Sequence, residues 1–458
     1  MNRSKGANKM ELSQKHTWSH FKRFLELFYG DPRFREEFQK NPVQALEGRS
    51  LDLDAACARE AIEVMLAAEN GAENHQNPYI ELFSTLVSAV QKNVDSRSVL
   101  AQLPNQEVAG WIAKQRGRIA FESFAARQNI RAYTAFAAFE LSEGCSGRCE
   151  FCCFAAESLK AVFPYSAENA QMWRGILEET MSVIGQATSV SPCYMATEPF
   201  DNPDYEKFLL DFRDITGHFP QTTTVASVKN LKRTRRFMEF LGEEALNHEA
   251  ALRFSVTSLE QMKKIHEAFA PEELCGVELL LNNPESLYNY CSSGRARKLS
   301  RDTQKQFLDV SCSCVLGFRV NMVRKTIALV VPVVPDEEFP LGVKTYETRS
   351  FTDAKSYAFQ MKDMIARWMM PKVPADLPLR MTRHIRVEKT NNKILFFGER
   401  VKRAMSGTEE LRQAVSLLQC EKLSLEELSE RLQLNEYQKM YVYEQMQKLF
   451  AFGYVDLA

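Results

Sequence analysis

The sequence predicts an α/β protein built on parallel β/α units, and three observations carry that expectation. From about Tyr133, short β-rich apolar runs alternate with amphipathic helical stretches, the pattern of strands joined by helical crossovers. Ahead of them, residues 16–140 space their apolar side chains mostly as helices do. At the other end, residues 407–458 read as three helices and a closing strand.

Taken in order, HFKRFLELFYGDPRFREEFQKNPVQAL (20–46) puts Phe21, Leu25 and Phe28 on one helical face. It stops at Gly-Asp-Pro, then resumes with Phe34, Phe38 and Leu46. LDLDAACAREAIEVMLAAE repeats the pattern, and the whole is expected to cap the main domain. Six β-rich runs follow: YTAFAAFEL (133–141), CYMATEPF (193–200), QTTTVAS (221–227), LRFSVTSL (252–259), CGVELLLNN (275–283) and CVLGFRVNMV (314–323). NAQMWRGILEETMSVIGQA and DYEKFLLDFRDITG are helical stretches between them. Such alternation predicts a parallel barrel or part of one. The sixth run continues through Arg324 and Lys325 into TIALVVPVV, an antiparallel hairpin, and after about residue 350 the pattern breaks up. In the last segment, Ser424 with Glu427 makes a capping box and Gly453 ends the final helix, the outline of a small winged-helix module. The expected domains are 1–130 (helical region), 131–350 (partial barrel), 351–403 (connecting region) and 404–458 (winged-helix-like module).

Composition narrows the function classes. The 458 residues are 45% apolar, ample for a large core, and net charge is −1, which gives no general attraction for nucleic acid or a membrane surface. No run of about 18 apolar residues occurs, and MNRSKGANKM has no apolar signal segment, so a cytoplasmic protein is expected. In a reducing cytosol, eleven cysteines are not expected to form a disulfide framework.

Four of those cysteines crowd into ELSEGCSGRCEFCCFAAE (140–157). Cys145, Cys149 and Cys152 follow the first β run, on the loop leaving its carboxyl end, where barrel enzymes gather catalytic groups. Gly144 and Gly147 let that loop wrap tightly. Structural zinc wants four ligands, usually in two separated pairs, and the fourth is not in sight. Three thiols suit a 4Fe–4S cluster with one iron open to a ligand; zinc stays as the alternative.

The spacing C-x3-C-x2-C, with Phe151 before the third cysteine, resembles the signature of the radical SAM superfamily. That resemblance implies a partial (β/α)6 barrel whose 4Fe–4S cluster, held by Cys145, Cys149 and Cys152, binds S-adenosylmethionine. One electron, from a donor such as flavodoxin or ferredoxin, then cleaves it to a 5′-deoxyadenosyl radical. The family's Gly-Gly-Glu-like turn falls at Ala196-Thr197-Glu198-Pro199, so Glu198, with Thr197, would accept from the methionine ammonium, although the glycines are absent. Ser255 and Thr257, with Arg253 alternating beside them, would meet the ribose or carboxylate; ordinary strand hydroxyls are the competing reading.

EPFDNPDYEKF, SVKNLKRTRRFM, RFSVTSLEQMKKIHEAF, YCSSGRARK and GFRVNMVRKTIALV together resemble the peptide epimerases of ribosomally made, proteusin-type natural products. These isomerases take a hydrogen from a peptide Cα and return one to the opposite face. Cys153, Cys193, Cys275, Cys291, Cys312 and Cys314 are the candidate thiol donors, whereas Cys57 and Cys420 are expected to be small core residues. The family's donor cysteine follows a proline just past the hairpin; here Val333 stands there, in Val331-Pro332-Val333-Val334-Pro335. Cys314 is then the best-placed donor and Cys312 the reserve. Without a donor, the radical would end in a cross-link, a desaturation or a cleavage.

Two basic clusters, KNLKRTRR and RARK, follow the third and fifth runs, as solvated helix faces or as a rim for an acidic peptide. LNEYQKMYVYEQMQKLF has two Lys, two Glu and no Arg, which disfavours DNA and suits peptide recognition. The expected partner is a precursor peptide, its leader on residues 404–458 and its core at the barrel. A reading of a different class is an iron–sulfur- or zinc-stabilised peptide- or DNA-binding adaptor.

Overall fold

The structure, a computed structural model, describes residues 12–68, 76–123, 135–249, 251–288, 290–299, 307–308 and 314–458. It is a mixed α/β protein with several sheets. Six helices come first: α1 (Leu12–Gly30), α2 (Pro32–Lys40), α3 (Pro42–Glu47), α4 (Ala55–Ala68), α5 (Pro78–Arg97) and α6 (Gln106–Glu122). The break between α1 and α2 is local chemistry: Asp31 caps α2 by accepting from Arg33 N, and Pro32 occupies its first turn. Then come β1 (Ala135–Glu140), β2 (Ser142–Glu143), β3 (Ala161–Val162), α7 (Ala167–Ile184), α8 (Tyr205–Thr216), β4 (Thr222–Thr224), α9 (Leu231–Glu249), β5 (Leu252–Val256), α10 (Leu259–Ala268) and β6 (Val277–Leu281). After β7 (Tyr290–Cys291), α11 (Ala296–Leu299) and β8 (Phe307–Leu308) stand β9 (Val315–Asn321), β10 (Thr326–Pro332), β11 (Val343–Ser350) and α12 (Ala354–Trp368). The chain closes with β12 (Leu379–Met381), β13 (Arg386–Lys389), β14 (Lys393–Phe397), β15 (Lys402–Ser406), α13 (Glu409–Cys420), α14 (Leu425–Arg431), α15 (Glu436–Ala451) and β16 (Val455–Leu457).

Two compact units result, and they cut across the segments drawn from sequence: residues 1–96 with 198–289, and 97–197 with 290–458. In the first unit, β4, β5 and β6 pair in parallel, each followed or preceded by a helix. Helix α1 belongs to this core. Gly30 lets α1 close on Met262 and Leu281, Arg23 donates to Phe269 O at 2.9 Å, and Asn283 donates to Gly30 O at 2.9 Å. Buried Phe21, Phe24, Phe34 and Phe38 fill the space behind.

In the second unit, β1 pairs in parallel with β9, which turns back antiparallel into β10 and then β11. This confirms the hairpin after the sixth run. Phe139 of β1 meets Trp173 of α7 edge to face at 5.1 Å. Residues 193–200, expected as a strand, form none. Pro192 and Pro199 remove ladder donors, Ala196 has φ +53°, and Glu198 instead caps a 3-10 turn at Pro199–Asp201.

The C-terminal residues form the three expected helices and closing strand, with the Ser424–Glu427 capping box in place. What sequence left unpatterned before them is an antiparallel meander, β13–β14–β15, and a strand β12 that pairs with β16. Ile394, Phe396, Leu411, Val415, Val442 and Leu449 share one buried core that reaches back to Phe121 of α6. Below that core, Asp456 is buried among Lys344 Nζ at 2.8 Å, Lys114 Nζ at 3.5 Å and Tyr346 Oη at 2.6 Å. Burial pushes its carboxyl up, but the two ammonium groups outweigh that and hold it well below the usual carboxylate range.

Among the described residues, no helix is long and apolar enough to cross a membrane.

Candidate functional site

The cysteine loop leaves the carboxyl end of β1 and is fastened at several points. Cys145 N donates to Glu157 O at 2.8 Å and Lys160 N to Glu143 O at 2.8 Å, so the loop closes on itself. Gly144, at φ +79°, sits where a Cβ would lie 2.2 Å from Ser158 O. Arg148 and Ala155 also hold left-handed φ of 48°, sparsely populated for side-chain-bearing residues. Cys145, Cys149 and Cys152 are all half-buried thiols outside any disulfide. Gly147 N donates to Cys145 Sγ at 3.3 Å, a contact that favours negative charge on sulfur.

The underside of the loop is held by a segment more than a hundred residues away. Arg295 Nε donates to Cys149 O and its Nη1 to Ala156 O, each at 2.9 Å, while Arg295 N donates to Cys152 O at 2.9 Å. Gly294, at φ +56°, lies so close that a Cβ would stand 2.2 Å from Cys153 O. For Arg295 this replaces the reading of RARK as a solvated face or peptide rim, whereas Arg297 and Lys298 are exposed, as a solvated face requires. Arg295 is a structural brace, and Arg297 donates to Asp336 O. Sequence carried one signal for this, the Gly-Arg pair in SSGRARK, but nothing that named its partner. Arg233 and Arg235 of KNLKRTRR are likewise engaged, with Glu206 and Glu273 respectively.

At the carboxyl ends of β1 and β9, Glu140 is buried and accepts from Arg319 Nε and Asn321 Nδ2, each at 2.8 Å. Burial pushes its carboxyl up, against those two donors, which pull it down. Sequence reasoning missed this trio. A small cleft of about 30 Å³, lined by Val331, Val333, Phe339, Lys344, Arg380 and His384 among others, opens beside the end of β10.

The other expected cofactor contacts, apart from Thr197, lie in the first unit. Glu198 is buried, with its oxygens taken by Thr224 Oγ1 (2.5 Å), Val225 N (2.9 Å) and Phe200 N (3.2 Å). Burial pushes its carboxyl up despite these donors. Arg253, Ser255 and Thr257 do alternate on one side of β5 and its continuation, as read from sequence. Arg253 pairs with Glu278 at 2.6 Å, and Thr257 donates through N and Oγ1 to Gln261. Thr197 is half-buried, in the stretch that forms no strand.

Of the candidate donor thiols, Cys314 is exposed, one residue before β9. Cys312 lies outside the described residues. Cys153 is disulfide-bonded and offers no thiol. Burial pushes the Cys193 and Cys275 thiols up and the Cys291 thiol to about 11. Cys420 is exposed and Cys57 half-buried, so neither is the small core residue expected.

The structure thus defines a mixed α/β protein with a braced three-thiol loop at the end of a parallel strand. The chain is 32% identical over 398 residues to the uncharacterized protein y4wI of Sinorhizobium fredii, covering 82% of this chain and 75% of that protein; it belongs to the same family. No protein-family model matches the chain, and no solved structure matches it.

Proposed function

We propose that the protein is a radical SAM enzyme acting on a ribosomally made precursor peptide, with Cα epimerisation as its reaction. The observation that carries this is the loop itself: three half-buried thiols at C-x3-C-x2-C spacing, directly after β1, held by Arg295 and a backbone donor to sulfur. Within each unit strands pair in parallel, β1 with β9, and β4 with β5 and β5 with β6, the pairing that β/α units use.

Cys145, Cys149 and Cys152 would hold the 4Fe–4S cluster. When bound, cluster and S-adenosylmethionine together supply a hydrogen-abstracting radical. The chain's own part is placement. Glu140 fixes Arg319 and Asn321 at the strand ends, where charge on Arg319 would orient an anionic group. Cys314 would return hydrogen from its exposed thiol. At the C-terminal end, β15 stands at the sheet's edge, and α15 exposes Tyr437 and Met440, a surface on which a leader could add a strand.

Anaerobic reconstitution should give about four irons per chain, and reductant with S-adenosylmethionine should release 5′-deoxyadenosine. A Cys145→Ala, Cys149→Ala, Cys152→Ala variant that still releases it would end this proposal. Turnover in D2O should add one deuterium per modified residue; a product lighter by two hydrogens would replace epimerisation with cross-linking or desaturation. Tyr437→Glu with Met440→Glu should raise KM for a full precursor and leave a short core peptide unaffected.

A further inference from the structure

A second ligand cluster stands in the first unit, remote in sequence from the cysteines. We propose that His16, His20 and Glu272 form a binding site for a divalent first-row transition ion, which clips the first helix to the 3-10 turn at Glu272–Leu274. His16 and His20 stand one turn apart on α1 and therefore face the same way. His16 Nδ1 lies 2.8 Å and His20 Nε2 3.2 Å from the same oxygen, Glu272 Oε1, and one ligand atom from each residue lies within 4.8 Å of the others. Two imidazoles and a carboxylate are a donor set suited to zinc or iron(II), with a position left for water.

A fourth residue supports the reading. Asp52, in the loop between α3 and α4, accepts from His16 Nε2 at 2.9 Å. A carboxylate behind an imidazole fixes the proton on the far nitrogen and turns the other lone pair toward an ion. Here that other nitrogen is Nδ1, which without an ion donates a hydrogen bond to Glu272 Oε1 and must shed its proton before an ion can bind. The neighbouring cation Lys15 is engaged by Glu243 and does not occupy the site. His16 and Glu272 side chains are 45% and 41% exposed, enough for an ion and its water to enter.

Protons must move when an ion enters. As the network stands, Asp52 N donates to His20 Nδ1 at 3.0 Å, which puts the His20 proton on Nε2, facing Glu272. Coordination through His20 Nε2 shifts that proton to Nδ1 and gives up the hydrogen bond from Asp52 N, and the proton on His16 Nδ1 is released to solvent. The net reaction is one ion in and one proton out.

The test uses the full chain stripped by chelator, with Cys145, Cys149 and Cys152 changed to Ser so that cluster thiols contribute nothing. In equilibrium dialysis against Zn2+, this protein should hold one more ion per chain than the same protein carrying His16→Ala and His20→Ala. Zinc at 100-fold over its Kd should raise the unfolding temperature by roughly 3 °C in the first and not in the second. Glu272→Gln keeps the side-chain size and should weaken zinc binding by about tenfold or more; Co2+ should give visible d–d bands that this variant loses. Equal stoichiometry with and without the histidines, or zinc that leaves the melting unchanged, overturns the site. Neither result depends on S-adenosylmethionine chemistry, so this inference and the proposed function fail separately.

Discussion

The cysteine loop and the Asp456 cluster lie in the same unit and each gathers reactive groups, yet they are built in opposite ways. Asp456 is buried and saturated: two ammonium groups and a phenol surround it, on α6, β11 and β16. The cysteine loop is half-exposed, carries left-handed φ at Arg148 and Ala155, and is held largely through backbone atoms, while Cys145, Cys149 and Cys152 stay out of disulfides. Saturated polar clusters make stability. Strained loops whose backbone alone is fastened keep their side chains available.

That contrast can be broken by substitution. The largest effect is expected at Asp456→Ala, which leaves Lys114 and Lys344 buried without a counter-ion; the loss should be about 3–5 kcal/mol, read by denaturant unfolding. Deleting residues 404–458 removes the same carboxylate, so a truncated protein should fail to fold, and leader binding has to be tested by point variants instead. Acid should act through the same group. Its carboxyl is depressed in the folded state, so its contribution is fully present above the unfolded value of about 3.9 and is lost as pH falls below it. Asp456→Asn should flatten that acid limb in thermal melts.

At the loop the order reverses, with function lost before fold. Arg295→Gln removes a charged donor to two carbonyls and should cost about 1.5–3 kcal/mol locally. The expected reading is lower iron content after reconstitution, with the Asp456 acid limb unchanged. Gly294→Ala pushes a methyl into Cys153 O and should do the same. The smallest effect belongs to Cys314→Ala: it is exposed, so melting should shift by less than about 0.5 kcal/mol, while deuterium incorporation should fall. Unchanged incorporation would remove Cys314 as donor.

Local chemistry was legible in the sequence: the Gly-Asp-Pro break, the Ser424–Glu427 box, the hairpin after Asn321 and the helical spacing of α1 all involve neighbours within a turn or two. The run at 193–200 misled because its apolar content suggests a strand, while Pro192 just before it and Pro199 within it, the stronger signal, forbid the ladder. The meander Arg386–Ser406 was missed because its strands are short and mostly polar on the exposed face. Arg295 under the cysteines and Glu272 beside His16 are pairings across more than a hundred residues. A single sequence carries charge and spacing for each partner, but not the fold that joins them.

The division into units has a consequence for biosynthesis. The chain crosses from one unit to the other three times, after residues 96, 197 and 289. Helix α1 presents Arg23 and its Gly30 end long before Phe269 and Leu281, which they meet, have been translated. At 5–20 residues per second the wait between residues 96 and 289 is roughly 10–40 s. During that interval Phe21, Phe24 and Phe28 already have Tyr79, Phe34 and Phe38 beside them, but the end of α1 has no β6 to close on, so the partial unit is a target for holdase chaperones and a reason for heterologous expression to favour slow growth at low temperature.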